Sequence, residues 1–572
     1  MTGDHERSDD AVAQPDVGGD TSAGGGSGDG GASDGGPAAA RLRSGWGDDV
    51  ELVAEPIRYP RSPLVALALI ALVPAIGLLV LHRWSDTRAD ALGSDRSATE
   101  LLEARLDGDL SVDGERVVRG GAADAPAEVR SAPAGRLATG LLDFRRSPDV
   151  VATAADIGAL AVAVDPVLTF VDDRSCAAVS LDGVPVTSTN ATLPVIPASN
   201  QKLLVALAAL EVLGEESTFT TSVRAAPVVD GVVEGDVVIV GGGDPLLTSD
   251  DYPRDDPRLD VANPTSFDSL ADALVAAGVT RVRGSVVGDG SRYDDEFSID
   301  EWGEGVASVD AGPYDALLVN DALVLGRSER QEDPNVAAAR ELTRLLEDRG
   351  VTVDGGPTRE SISDDAAPAT EVIATVDSAP LVDVVSSMLL TSDNNTAEML
   401  LKEMGVATSG EGTRAAGLDA MVAALNGLGV PMEGVSARDG SGLSSLNRVT
   451  CAAVLEVVRL AEGGPIDEAL PVAGRSGTLT DEFEGSQVTG RLRAKTGTLA
   501  NEPVEADPPA VKALAGYVDP PEGTSAATIE FVLIANGADI SDPEVYRPLW
   551  IAIGERFATH PGGPDRTTLG PR

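Results

Sequence analysis

The segment Pro197-Ala198-Ser199-Asn200-Gln201-Lys202 runs straight into LLVALAALEVL, eleven residues interrupted only by Glu211. A helix that is apolar on nearly every side is a buried helix, so the fold has to wrap around this one. Ser199 stands at its entrance and Lys202 one turn later, and residues three apart in a helix share a face. A serine hydroxyl is a weak nucleophile until a neighbouring base takes its proton, and a desolvated lysine can be that base. The positive end of the helix dipole would favour an oxyanion forming there.

Lysine usage sharpens this reading. The chain of 572 residues has four lysines, at 202, 402, 495 and 512, among 43 Lys plus Arg. Arginine does not deprotonate in proteins and a buried lysine can, so lysines kept in an arginine-rich sequence are candidates for proton chemistry. The three histidines, His5, His82 and His560, lie in the N-terminal tail, at the end of an apolar run and near the C-terminus. None has metal-ligand spacing, which argues against a Ser-His-Asp triad or a His-based zinc site. No metal and no cofactor is expected. The net charge of −49 excludes nucleic-acid binding through a basic face and reads as a solvated acidic surface.

Residues 1–62, with 13 Gly and 12 Asp or Glu, cannot bury enough surface to offset ordering entropy and read as a disordered acidic tail on the cytoplasmic side. Residues 64–81, LVALALIALVPAIGLLVL, are 18 uncharged apolar residues followed by His82-Arg83-Trp84. They predict a membrane-spanning anchor over 63–82. The competing reading is a cleaved signal peptide, for which a 60-residue leading tail is long. Flanking arginines do not decide orientation, so the chemistry of the C-terminal bulk places it outside the cell. Residues 83–135 read as a stalk. Patterned segments begin near 136, with DIGALAVAVD as a helix or strand start and CAAVSLDGVPV as a hairpin about Asp182-Gly183. Strand and helix patterns alternate through 223–375, which predicts a mixed α/β insertion. The helix-rich stretch after 376 ends in three strand patterns at 488–500, 514–518 and 527–537, and 561–572 is a tail.

Two further motifs complete the set. Ser392-Asp393-Asn394 falls on a break between two helical patterns, 193 residues beyond Ser199, and Lys495-Thr496-Gly497 falls on a late strand 103 residues further on. Taken singly, Ser392 and Asn394 could cap the next helix, and Gly497 could mark a bulge. In this order, S-x-x-K, S-D-N and K-T-G resemble the serine active sites of penicillin-binding proteins and β-lactamases. The long first gap, with PASNQK, GGGDPLL, TSDNNTAEMLLK, DGSGL, SGTL and AKTGTL, is similar to the D-alanyl-D-alanine carboxypeptidase/endopeptidase family of low-mass (class C) penicillin-binding proteins of actinobacterial type.

The resemblance covers about 137–560 and implies an α/β fold: a penicillin-binding-protein/β-lactamase-like transpeptidase domain built from 136–222 and 376–560, with 223–375 inserted. It implies that Lys202 activates Ser199 against the bond between two terminal D-alanines, with backbone N–H groups of Ser199 and Thr498 holding the oxyanion. Ser392 would relay a proton to the leaving amine and Asn394 would hold the substrate amide. Lys495 would supply positive charge near the substrate carboxylate, with Thr496, Gly497 and Thr498 lining the substrate site. The expected partners are peptidoglycan stem peptides, β-lactam antibiotics as inhibitors, and a membrane through 64–81. The expected activity is a D-Ala-D-Ala carboxypeptidase, a D-Ala–meso-diaminopimelate endopeptidase, or both. A β-lactamase or esterase on the same fold, and a non-catalytic wall-binding protein, are the alternatives. An extracellular compartment permits a Cys176–Cys451 disulfide, with two separate buried thiols as the alternative.

Overall fold

The computed structural model describes residues 148–252, 263–302, 310–322, 331–359, 370–500, 510–524, 526–564 and 566–569. The acidic tail, the apolar run 64–81 and the stalk lie outside them.

Helix α1 (Pro148–Leu168) leads into strand β1 (Cys176–Leu181), which turns back as β2 (Val184–Thr189). The turn residues Asp182 and Gly183 both have positive φ, at 45° and 74°, the conformation a two-residue hairpin requires. The buried helix is α2 (Gln201–Leu213). The chain then leaves for a second sheet through β3 (Thr220–Ala225), β4 (Val237–Val240), helix α3 (Asp268–Ala276), β5 (Val286–Asp289), helix α4 (Pro334–Asp348), β6 (Thr358–Arg359) and β7 (Glu371–Asp377). It returns as α5 (Leu381–Thr391), α6 (Asn394–Ser409), α7 (Arg414–Gly427), α8 (Cys451–Ala461) and the short α9 (Pro465–Ala469). Three long strands follow, β8 (Leu492–Leu499), β9 (Ala510–Val518) and β10 (Ile529–Gly537), and then α10 (Pro543–Phe557).

The first sheet has the order β8-β9-β10-β1-β2 and is antiparallel throughout. Its central strands are buried on both faces, and side chains alternate between two cores as the period of a strand demands. On β9, Ala513, Ala515 and Tyr517 face a core shared with α2, α5, α6 and α8, while Leu514 and Val518 face another shared with α1 and α10. The disulfide Cys176–Cys451, with Cα atoms 5.9 Å apart, ties β1 to α8 on the first of these faces.

By length and composition α1 could cross a bilayer. Its Leu160, Val164, Val167 and Leu168 are instead packed beneath the sheet with Trp550, Ile553 and Phe557 of α10, so it is a layer of this domain. The sequence reading placed no element between 538 and 560. There α10 carries Pro548 inside it, which blurs the helical pattern, yet it closes one face of the sheet.

The second sheet has the order β6-β5-β4-β3-β7. The strands by which the chain enters and leaves it, β3 and β7, pair antiparallel, so the expected edges 222/223 and 375/376 fall inside paired strands. Helices α3 and α4 cover it around a separate core that includes Phe267, Leu270, Leu342 and Leu346. The inserted part meets the half that carries the first sheet through an apolar cluster in which Tyr293, Trp302 and Tyr314 gather with Met399, and through charged and polar pairs. Arg292 is 2.6 Å from Glu403, Lys402 2.6 Å from Asp294 and Arg414 2.7 Å from Glu296, while the Trp302 indole N–H donates to Asp439 at 2.9 Å.

Candidate active site

Ser199 sits in a single 3₁₀ turn, Ala198–Asn200, that feeds α2. Ala198 before it has φ 47°, a left-handed conformation that a residue with a Cβ adopts only where its surroundings force it. The surroundings are close. A Cβ on Gly442 would lie 2.0 Å from the Ala198 carbonyl oxygen, and one on Gly497 would lie 3.0 Å from that of Pro197. The turn is thus held between the Asp439-Gly440-Ser441-Gly442 loop and strand β8, and glycine at 442 and 497 is what lets both approach.

Lys202 is fully buried. Its Nζ lies 2.9 Å from Ser199 Oγ, 2.6 Å from Asn394 Oδ1 and 2.7 Å from the Ser441 carbonyl oxygen. Two of the three neighbours are pure acceptors. A neutral amine has two N–H donors and one lone pair, so it can satisfy both acceptors and point the lone pair at the serine hydroxyl. Burial pulls the Lys202 pKa down to about 8, while the carboxylates of Asp393, Asp439 and Glu398 pull the other way.

Ser392 ends α5 in the left-handed conformation, φ 64° and ψ 33°. The following cap is Asp393, whose carboxylate accepts from the Thr396 N–H at 2.6 Å. Ser392 and Asn394 are therefore free of capping duty and turn into the site. Asn394 also donates through Nδ2 to the Asp310 carbonyl at 2.8 Å, so both arms of its amide are engaged. Lys495, fully buried on β8, donates to Ser392 Oγ at 2.8 Å and to the Thr496 carbonyl at 2.9 Å. Burial, then the nearby charges of Lys202 and Lys512, push its pKa well below the usual lysine range.

The structure thus brings two hydrogen-bonded groups, Lys202 with Ser199 and Asn394 and Lys495 with Ser392, to one cavity that Ser199, Ser392, Thr496 and Thr498 line together. That cavity, of about 240 Å³, is lined also by Thr478, Glu482, Lys512 and Trp550. Several of these residues were not singled out in the sequence. Thr478, within SGTL, accepts from the Thr496 hydroxyl at 2.7 Å. Lys512, two residues ahead of the strand pattern expected at 514–518, carried no local signal beyond the rarity of lysine.

Two buried carboxylates beneath the site, on residues read from the sequence only as parts of a helix and a turn, were given no role there. Glu398 accepts from the N–H groups of Gly440 at 3.0 Å and Ser441 at 2.6 Å, and burial with the neighbouring Asp439 charge pushes its pKa up to about 7. Asp439 accepts from the Gly442 and Ser444 N–H groups and from Asn447 Nδ2. Among the described residues no group of His, Cys, Asp or Glu is arranged to hold a metal ion.

This arrangement can be set beside known proteins. Residues 174–331 and 318–549 match the D-Ala-D-Ala carboxypeptidase 3 (S13) family. A D-alanyl-D-alanine carboxypeptidase of Actinomadura sp. (strain R39) is 31% identical over 449 residues, a span of 64% of this chain and 77% of the relative. A carboxypeptidase of Mycobacterium tuberculosis is 30% identical over 365 residues, 60% of this chain and 72% of the relative. Among solved structures, penicillin binding protein 4 of Haemophilus influenzae shares the fold. Its TM-score is 0.54 at 20% identity, covering 69% of this chain and 98% of that one. The chain belongs to the S13 family of D-Ala-D-Ala carboxypeptidases, which are serine-type hydrolases.

Proposed function

We propose that the chain hydrolyses the D-Ala-D-Ala terminus of peptidoglycan stem peptides through an acyl-enzyme on Ser199, and that β-lactams acylate the same hydroxyl. The observation that carries this reading is the contact set of Lys202, two acceptors plus Ser199 Oγ at 2.9 Å.

In the neutral amine the lone pair takes the Ser199 proton as Oγ attacks the carbonyl between the two D-alanines. The carbonyl oxygen becomes an oxyanion held by backbone N–H groups of Ser199 and Thr498. As the tetrahedral centre collapses, the C–N bond breaks. The Ser392 hydroxyl, backed by Lys495, hands a proton to the departing amine and is reprotonated from the lysine pair. Water then attacks the ester carbonyl as neutral Lys202 takes a proton from it, the C–Oγ bond breaks, and Lys202 returns that proton to Ser199 Oγ. Asn394 keeps the Lys202 amine aimed at Ser199 and is placed to meet the substrate amide.

A D-Ala–meso-diaminopimelate cross-link presents the same acyl half and a D-centre amine as leaving group, so cleavage of that bond is part of the proposal. A β-lactam is a cyclic amide whose leaving amine stays attached, which leaves the acyl-enzyme slow to hydrolyse. Residues 64–81 are proposed to anchor the chain in the cell membrane, with the catalytic domain, 136–222 and 376–560, outside it. The region 223–375 is proposed as its accessory insertion, 1–62 as a cytoplasmic tail, 83–135 as a stalk and 561–572 as a tail.

Fluorescent penicillin labelling of wild type and Ser199→Ala, followed by digestion of defined muropeptides, tests the reading. The expected result is stable labelling and release of D-alanine, both lost in the variant. Peptide cleavage that survives Ser199→Ala would sink it, and rapid turnover of benzylpenicillin would mark a β-lactamase instead.

A further inference from the structure

Of the two buried lysines on the neighbouring strands β8 and β9, only Lys512 lines the cavity. Lys495 spends its N–H groups on Ser392 Oγ and the Thr496 carbonyl and is fully buried. Lys512, paired opposite Thr498 across β8 and β9, lines the cavity with Ser199 and Ser392. Its ammonium donates to Thr498 Oγ1 at 3.0 Å and lies 3.9 Å from the ring centre of Tyr546 and 4.9 Å from that of Trp550. Aromatic faces stabilise a cation without occupying its hydrogen-bonding protons in the way a carboxylate would.

The carboxylate that also borders the cavity, Glu482, is taken up elsewhere. It accepts from the Tyr546 hydroxyl at 2.7 Å and from Arg547 at 3.1 Å. Thr498 accepts from Lys512, so its own proton is left to donate. The Thr496–Thr478 pair likewise keeps one hydroxyl proton for a ligand. An ammonium, two free hydroxyl protons and a dry aromatic wall make a cradle for a compact anion.

We infer that Lys512, with the Thr498 hydroxyl, is the residue that binds the α-carboxylate of the leaving D-amino acid and so makes the enzyme select a free carboxylate there. This rests on the acyl-enzyme reading above. It moves the carboxylate-binding charge expected at Lys495 to the next strand and leaves Lys495 as the proton partner of Ser392. It covers both bonds in question, since a terminal D-alanine and the D-centre of diaminopimelate each carry a carboxylate beside the leaving amine.

The test compares an N-acyl-D-Ala-D-Ala peptide with its C-terminal carboxamide, using the full chain as wild type, Lys512→Met and Lys512→Arg. A charge-assisted hydrogen bond lost at a buried site corresponds to about a 10- to 100-fold fall in kcat/KM. That fall is expected for Lys512→Met on the acid, with a much smaller one on the carboxamide, so the acid-to-amide ratio collapses. Lys512→Arg is expected to keep most of the ratio. Equal falls on both substrates would show a structural role and overturn the inference, as would an unchanged ratio. Wild type that cleaves neither substrate and takes no penicillin would overturn the acyl-enzyme reading itself. Ser199-dependent cleavage with an unmoved ratio would overturn only the role of Lys512.

Discussion

At the scale of single residues, the proposed chemistry turns on an amine that must lose its proton. Lys202 holds a pKa of about 8 because burial outweighs three nearby carboxylates. Its lone pair is absent below that value, so acylation is expected to quicken as pH rises through about 8. Lys512 is also lowered to about 8 by burial, but its charged form is the useful one. Acid substrates should therefore show a rate maximum near pH 8, whereas a carboxamide substrate keeps rising. A profile that is flat across this range would remove Lys202 as the base. Lys202→Arg puts a permanent cation in the same place and is expected to slow penicillin acylation by about 10²- to 10⁴-fold, the usual worth of a general base, measured as the second-order labelling constant. The spacing of Ser199 and Lys202 was legible because both lie on one turn of one helix. Lys512 was not, because its meaning depends on which side of β9 faces Thr498, and no local pattern states that.

At the scale of elements, the site is a meeting of ends: the entrance of α2, the break between α5 and α6, the edge strand β8 and the Asp439–Gly442 turn. The break was legible as a change in pattern, although the capping work falls to Asp393 and not to the two residues flanking it. The turn was legible as Asp-Gly-Ser-Gly, but the carboxylates fastening it were not. Glu398 is the fifth residue of α6 and stands just ahead of the apolar run Met399-Leu400-Leu401, and nothing in the sequence says that its partners are the amides of residues 440 and 441. Because the Ser441 carbonyl is one of the acceptors of Lys202, Glu398 positions the proposed base at one remove. Glu398→Ala strands two buried N–H groups, at about 1–3 kcal/mol each. Urea unfolding should register that loss, and kcat should fall along with it. Unfolding unchanged from wild type would show that the turn holds its shape without this carboxylate.

At the scale of the whole molecule, strands from both ends of the described chain build one sheet, and a separate α/β body is inserted between them. The alternation of strand and helix patterns led to the expectation of an insertion, but its contacts with the half that carries the first sheet were not legible, since they include pairs such as Trp302–Asp439 and Lys402–Asp294, which join residues more than a hundred positions apart. The disulfide spans more sequence still, 275 residues between Cys176 and Cys451. A cross-link over so long a loop restricts the unfolded chain strongly. Replacing both cysteines with serine is expected to cost about 2–5 kcal/mol, read as a lower denaturation midpoint that reductant no longer changes. An equal midpoint with and without the bond would place the stability entirely in the two packed faces of the sheet.

The four lysines that first drew attention as possible bases are all withdrawn from solvent, three of them fully and Lys512 down to 9% exposure. The outer surface of the folded domain is therefore almost free of primary amines, and its positive charge is carried by guanidinium groups. Reagents and modifying enzymes that seek an ε-amino group meet no target on that surface and can reach one only through the mouth of the catalytic cavity.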